Sequence, residues 1–323
     1  MIVVTGGAGF IGSALTAELN ARGLSDILLV DQVDHPEKEK NLAPLAFREL
    51  RSKEQFLQDV LTRSLRGVDV LFHLGACSST TETDEAYLRK NNFEYTRDLA
   101  GYALENDVRF IYASSAATYG DGSLGYADDE SRLETLRPLN SYGNSKQMFD
   151  LWAHRQNILH RIVGLKYFNV YGPNEYHKEE MQSLVRKGFF QIRETGKVRL
   201  FKSYKPEYPD GGQVRDFIYI KDAVAMTLFF ADHPGLGGIF NVGAGTARSW
   251  NELAQALFTA QGRDTHIEYI EMPESIRPQY QYHTCAEMDK IRRAGYTAPC
   301  LSLEAGVADY VQNYLLPGKY LGE

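Results

Sequence analysis

The sequence predicts an α/β protein: a doubly wound parallel sheet covered on both faces, with a smaller, discontinuous α/β domain built from its later loops and helices. Three observations predict it. Short apolar runs alternate with amphipathic stretches through the first half, a glycine-rich turn joins the first run to the first stretch, and the alternation breaks after about Tyr167. "IVVT" opens the sheet, and Phe10, Ile11, Ala14, Leu15 and Leu19 follow at helical spacing. "DILLVD" (26–31), "VDVLFH" (68–73), "VRFIYAS" (108–114) and "RIVGLKY" (161–167) read as further strands, separated by helical patterns at 53–65, 84–105 and 142–158. "HPEKEK" (35–40) reads as an exposed charged loop. Beyond Tyr167, residues 170–181 and 203–213 are long polar loops, while "RDFIYIKD" (215–222) and "IFNVG" (239–243) read as strands rejoining the sheet. Helices resume at 249–261, 286–294 and 302–315. The expected division is 1–168 plus 214–247 for the sheet domain and 169–213 plus 248–323 for the smaller one.

Composition narrows the partners. At 323 residues and 43% hydrophobic, the chain is long enough for one large domain or two unequal ones. A net charge of −7 argues against nucleic acid or an anionic membrane as partner. No apolar run reaches the ~18 residues of a membrane span. "MIVVT" runs straight into the glycine turn, which is not the pattern of a signal peptide. Cys77, Cys285 and Cys300 are odd in number and far apart, as expected of a reducing cytoplasm, and offer neither a disulfide framework nor a metal site.

The turn "VVTGGAGFIG" places Gly6, Gly9 and Gly12 between strand and helix. Gly6 permits the tight turn, Gly9 lets backbone amides approach a diphosphate at the helix N-terminus, and Gly12 permits close helix–sheet packing. Its position after a strand and before an amphipathic helix makes it a dinucleotide site, Rossmann-like in form. Asp31, ending the second strand, suits the adenosine ribose hydroxyls and so NAD, whereas Lys38 and Lys53 stand where cations would hold the 2′-phosphate of NADP. "HLGACSS" (73–79) brings small residues to the strand's carboxyl end, and Asn91 approaches the same groove.

Tyr142 and Lys146 in "YGNSK" share one helix face. Hydride transfer from an alcohol also moves the hydroxyl proton, which a phenol with pKa about 10 accepts poorly. An adjacent ammonium that lowers it by about 3 units supplies roughly 4 kcal/mol. Ser115, at the end of the fourth strand, is placed to hydrogen-bond the reacting oxygen. Residues 178–215 hold nine Lys/Arg against five Asp/Glu, a local excess that suits an anionic substrate.

"TGGAGFIG", "SSAATYG", "YGNSK" and "KYFNVYGP" together resemble the extended short-chain dehydrogenase/reductase superfamily over essentially the whole chain. Ser115 is followed by Ala116 and Ala117 rather than the acidic pair of its dehydratases, which disfavours water elimination. "HLGACSSTTETD", "ASSAATYG" and "YFNVYGPNEYHK" resemble the ADP-L-glycero-D-manno-heptose 6-epimerases more closely. The resemblance implies inversion at C6 of an ADP-heptose for the lipopolysaccharide inner core, by transient oxidation to a ketone and re-reduction, with NADP bound tightly, one per subunit. It implies a second acid/base, Lys178, beside Tyr142. It also implies cofactor contacts at Phe10, Ile11, Asp31, Gln32, Lys38, Lys53, Leu74, Gly75, Ala76, Cys77, Ser78, Asn91, Lys146, Val170 and Lys178. Substrate contacts are implied at Ser115, Asn169, Phe201, Lys202, Ser203, Tyr204, Arg215 and Tyr280. Two departures stand among them: Glu180 replaces a small residue, and Lys187 stands at a position where some members use histidine. A cytoplasmic homo-oligomer, a ring or pentamer, is the expected assembly. The rival readings are another nucleotide-sugar epimerase, such as a UDP-hexose 4-epimerase, and a silent dinucleotide sensor, which the retained Tyr/Lys pair argues against.

Overall fold

The computed structural model describes residues 1–274, 276–277 and 280–323. Its centre is a seven-stranded parallel sheet in the order β10-β6-β5-β4-β1-β2-β3. The first half of the chain supplies β1 (Ile2–Thr5), β2 (Ile27–Val30), β3 (Glu49–Arg51), β4 (Val70–His73) and β5 (Arg109–Ser115). β6 (Val163–Tyr167) and β10 (Gly238–Val242) complete it. Strand order reverses between β1 and β4, and the crevice outside their carboxyl ends is where such sheets bind ligands. β1, β2 and β4 are almost wholly buried, as the apolar runs require of strands covered on both faces.

Helices cover the faces: α1 (Phe10–Ala21), α2 (Pro36–Leu42), α3 (Lys53–Leu61), α4 (Glu85–Leu88), α5 (Tyr95–Glu105) and α6 (Ser141–Arg155). α2 corrects the expected loop at "HPEKEK". His35 caps it by accepting from the Glu37 amide at 3.0 Å, Pro36 fills the first turn, and Asn41 and Leu42 are buried. The single helix expected over 84–105 is interrupted by a wide π-type turn at Arg89–Glu94. That turn aims Asn92 inward, where its amide donates to the Cys77 carbonyl and accepts from the Cys77 amide, both at 2.9 Å.

The later chain departs most from expectation. "RDFIYIKD" is not one strand of the main sheet: β9 (Val214–Tyr219) ends at Tyr219 and α8 (Ile220–Asp232) begins at once. β9 joins a separate three-stranded sheet, parallel to β7 (Asn169–Tyr171) and antiparallel to β11 (Ala247–Ser249). β8 (Val198–Phe201) and β12 (Ile267–Ile270) pair in parallel, following α7 (Leu184–Thr195) and α9 (Trp250–Ala260) respectively. α10 (Asp289–Arg293) and α11 (Leu303–Tyr310) are shorter than their sequence patterns, and α11 runs on into a second wide turn at Val311–Leu315. Among the described residues no helix is long and apolar enough to cross a membrane.

His73 closes the β1/β4 seam, its ring nitrogens within 2.7 Å of Thr5 Oγ1 and 2.9 Å of Thr96 Oγ1. Burial pushes its pKa down to about 3, with the Lys146 cation adding to the effect. The unfolded chain therefore binds one more proton than the native one below the ordinary histidine value near 6.5, and this contribution to stability is lost as pH falls from there toward about 3. Urea unfolding at pH 7 and pH 5 should show the stability gap between wild type and His73→Asn shrinking by about 2 kcal/mol at the lower pH. An unchanged gap would mean that the native ring titrates normally.

Candidate active site

Three cavities with shared walls run along the carboxyl edge of the sheet. The first lies over the glycine turn. Gly6 sits at φ +69°, and a Cβ there would come within 2.7 Å of the Gly75 amide. A Cβ on Gly12 would lie 2.1 Å from the Gly6 carbonyl oxygen, so the turn and α1 close only with glycine at both places. No side chain caps α1 and no acid sits in its first turn, which leaves amide donors and the positive helix end facing the cavity. This cradle fits a dinucleotide diphosphate. Gly12→Ala should abolish cofactor retention and lower the melting temperature, read by absorbance of the purified protein and by calorimetry.

Asp31 stands just past β2 with its carboxylate already engaged: Oδ2 accepts from the Ala8 amide at 3.0 Å, and Oδ1 accepts from the Gln32 amide at 2.7 Å. Lys38 Nζ lies 3.2 Å from the same Oδ1 and 2.9 Å from Asp34, and these carboxylates hold its pKa up against burial. Lys53 Nζ donates to Asn91 Oδ1 at 2.7 Å across the same cavity. Every cofactor residue anticipated from the sequence, from Gly6 to Lys178, lines one of the three cavities.

The second cavity, about 420 Å³, holds the reactive groups. α6 begins with Asn140 accepting from the Gly143 amide at 2.7 Å, which sets Tyr142 and Lys146 facing the strand ends. Ser115 ends β5, and its Oγ accepts from the Ala117 amide at 3.1 Å. Tyr142, Lys146, Ser115 and Lys178 all line this cavity. Burial pushes Lys146 down to about 8 against the opposing charge of Asp150. Its ammonium donates to the Ala113 carbonyl at 2.9 Å. The sequence led us to expect that Lys146 would lower the Tyr142 phenol. Instead burial raises that phenol, with Ser115 opposing, and Lys146 is engaged elsewhere. Burial also lowers Lys178, against the charge of Glu175, and its Nζ lies 5.2 Å from the centre of the Phe10 ring.

Beneath these groups lies a polar network that sequence reasoning missed. Asp150 accepts from the Tyr112 hydroxyl at 2.9 Å and the Ser114 hydroxyl at 2.7 Å, and faces Lys166 Nζ at 3.5 Å, all fully buried. A helical period after Lys146 put Asp150 on the same face, which was the available signal.

The anticipated substrate residues divide into two groups. Asn169 lines the reactive cavity with Ser115. Arg215 is buried, and its guanidinium lies 5.0 Å from the Tyr280 ring centre and 5.7 Å from that of Trp250. Trp250 Nε1 donates to the Tyr280 hydroxyl at 3.0 Å, and Phe201 meets Tyr280 edge-on at 6.4 Å. Trp250 and Phe217, which sequence reasoning missed, reach the reactive cavity itself. Arg215 has no carboxylate partner among the described residues: its guanidinium donates to the Val214 carbonyl at 2.9 Å and otherwise lies against aromatic faces. The second group is not gathered here. Glu180 is 99% exposed and pairs with Lys187 at 3.1 Å. Lys202 pairs with Glu271 at 2.7 Å, Ser203 donates its amide to Asp210 at 2.7 Å, and the Tyr204 ring carries Arg277 4.0 Å from its centre.

The sequence profile of the NAD dependent epimerase/dehydratase family matches residues 2–243. An ADP-L-glycero-D-manno-heptose-6-epimerase of Nitratidesulfovibrio vulgaris (strain DP4) is 51% identical over 316 residues, 98% of each chain. The crystal structure of Helicobacter pylori ADP-L-glycero-D-manno-heptose-6-epimerase is similar at TM-score 0.80 and 30% identity, over 97% of this chain and 95% of that one. A Thermus thermophilus UDP-glucose 4-epimerase solved with NAD is similar at TM-score 0.74 and 26% identity, over 96% of this chain and 97% of that one. With a nucleotide cradle, a Tyr/Lys pair and a second cavity lysine on one sheet edge, this chain belongs to the NAD-dependent epimerase/dehydratase family, among its ADP-L-glycero-D-manno-heptose-6-epimerases.

Proposed function

We propose that this enzyme inverts C6 of ADP-D-glycero-β-D-manno-heptose to give the L-glycero epimer, supplying a lipopolysaccharide inner-core precursor. The observation that carries the reading is a single cavity, sharing walls with the glycine cradle, that is lined by Tyr142, Lys146, Ser115 and a second lysine, Lys178. C6 carries an ordinary carbinol proton, too weakly acidic for a protein base. A bound nicotinamide supplies a hydride acceptor, a positive charge near the reacting oxygen and the same hydride for return.

Tyr142 takes the C6 hydroxyl proton as the carbon loses hydride and becomes a ketone. Ser115 hydrogen-bonds the carbonyl oxygen, and Lys146 adds positive charge that favours the phenolate. The ketone turns over in the cavity, and hydride returns to its other face. Lys178, as ammonium, then gives a proton to the oxygen, so substrate and product are at one oxidation level; the Tyr142 phenol releases its proton to solvent and the Lys178 amine takes one up, which restores both groups. Burial of Lys178 eases that transfer, because the neutral amine it leaves is favoured in an apolar setting. The ammonium of Lys146 is lost as pH rises through about 8, so the Tyr142/Lys146 pair weakens as an acid/base above that pH. The alkaline limb of kcat/KM should therefore begin near pH 8.

NADP is the proposed cofactor. The carboxylate of Asp31 is occupied and its charge offset by Lys38, which favours accepting a 2′-phosphate there, and Lys53 adds a second cation. Arg215 is proposed to take the ADP diphosphate, replacing its missing counter-charge by a bidentate contact, with Tyr280 and Phe201 beside the nucleotide. Arg215→Lys should raise KM by about 10- to 100-fold with a smaller change in kcat, read by initial rates. The remaining proposals are the two-part domain division at 1–168 plus 214–247 and 169–213 plus 248–323, a cytoplasmic location and a homo-oligomer.

Incubation of the holoenzyme with ADP-heptose in deuterium oxide tests the reading. The epimerised C6 should keep its protium, by NMR, and UDP-glucose should stay unconverted. Deuterium at C6 would overturn the internal hydride return.

A further inference from the structure

The loop that carries Lys178 is held in place by a segment more than a hundred residues downstream. Asn174 is fully buried at φ +74°, and its side chain accepts from the Leu321 amide at 3.0 Å while donating to Ser13 Oγ at 3.0 Å. The Tyr176 hydroxyl donates to the Lys319 carbonyl at 3.0 Å, and its ring meets Tyr320 edge-on with centres 5.0 Å apart. The Tyr320 hydroxyl reaches on to the carboxylate of Glu37 on α2. Glu175 closes the far side by accepting from the Ser183 hydroxyl at 2.6 Å. Beyond Lys178 the chain turns through Glu179 at φ +45°, ψ −117°, a conformation that persists only when its surroundings over-determine it. Lys178 thus stands between an anchored aromatic two residues before it and a strained turn immediately after it.

We propose that Tyr320, with the backbone of Lys319 and Leu321, is a positioning group for Lys178. It sets the height of the ammonium over the reacting carbon and acts on one of the two proton transfers. Tyr142 makes no hydrogen bond or ring contact with this segment among the described residues; it is carried by α6 and lines the cavity with Ser115 of β5. The proposal rests on the acid/base role of Lys178, and its test separates the two.

Holoenzyme is mixed rapidly with the D epimer or with the L epimer, and the absorbance of reduced nicotinamide is followed. On the two-base account, Tyr142→Phe slows oxidation of one epimer and Lys178→Met slows the other. Tyr320→Ala, and a chain ended at Gly318, should slow the same epimer as Lys178→Met by about 10- to 100-fold, leaving the other within about twofold. Tyr320→Phe, which keeps the ring edge on Tyr176, should recover most of that loss. Equal slowing of both epimers, or of neither, would overturn the positioning role even where Lys178→Met behaves as stated. If Lys178→Met itself slows neither epimer, the two-base reading fails, and the positioning proposal with it.

Discussion

Tyr142→Phe should lower kcat for ADP-heptose epimerisation by about 10²- to 10⁴-fold while the purified protein keeps its cofactor. The side chain is buried at the start of α6 and lines the reactive cavity, so loss of one hydroxyl leaves packing almost untouched. What is lost is the atom that takes a proton from the sugar. Burial raises this phenol, and Lys146 donates to Ala113 rather than to Tyr142, so the fold by itself does not activate the phenol. Activation therefore depends on charge brought by the bound nicotinamide and on Lys146. Lys146→Met should accordingly resemble Tyr142→Phe in rate but differ from it in cofactor retention. Steady-state rates with each variant, beside absorbance of the bound cofactor, check both statements. A Tyr142→Phe enzyme at wild-type rate would remove the phenol from the mechanism.

Lys178→Met should cost a similar factor, about 10²- to 10⁴-fold in kcat, with KM for the nucleotide sugar little changed. Methionine keeps most of the stem that packs near Phe10 and removes the ammonium alone. The sharper demand concerns the pair. On an aldehyde analogue of the substrate, each single variant should keep one redox half-reaction, and the double variant almost none. If Lys178 instead only held substrate phosphate, Lys178→Met would raise KM and spare kcat, and Lys178→Arg would restore binding. The split between KM and kcat decides between a proton handler and an anion clamp.

The central sheet was legible because its strands are buried on both faces. "IVVT" and "VLFH" are apolar but for the Thr5 and His73 that end them and meet each other, and their alternation with amphipathic helical stretches marks them as strands. "RDFIYIKD" misled for the same reason: a short apolar run is compatible with strand or buried helix. Here it is both, changing at Ile220 where α8 turns back against β5 and β9. The loop read at "HPEKEK" carried a capped helix start, with proline in the first turn and acids before a lysine, but its single buried turn left no periodicity to count. The pairings of β7, β8, β11 and β12 depend on long-range contacts that no local pattern encodes.

The candidate site divides along similar lines. Spacing alone placed Tyr142 and Lys146 on one face, since four residues make about one helical turn. It could not say where the ammonium points, and that direction is set by the Ala113 carbonyl at the end of β5. Arg215 was anticipated as a substrate contact, yet the aromatic side chains beside it, Trp250 with Phe217, could not be read from its own stretch of sequence. Glu180 and Lys187, the two departures from the relatives' pattern, satisfy one another at the surface, so their effect on the sugar is indirect in this conformation.

A crystal structure of the holoenzyme with an unreactive ADP-heptose analogue puts the whole account at risk in one measurement. The Tyr142 hydroxyl and Lys178 Nζ should each lie within hydrogen-bond reach of the C6 substituents, approaching from opposite sides, with Ser115 on the Tyr142 side. An ammonium of Lys178 resting on the diphosphate or turned out to solvent, with the sugar oxygen met by Tyr142 alone, would contradict the account.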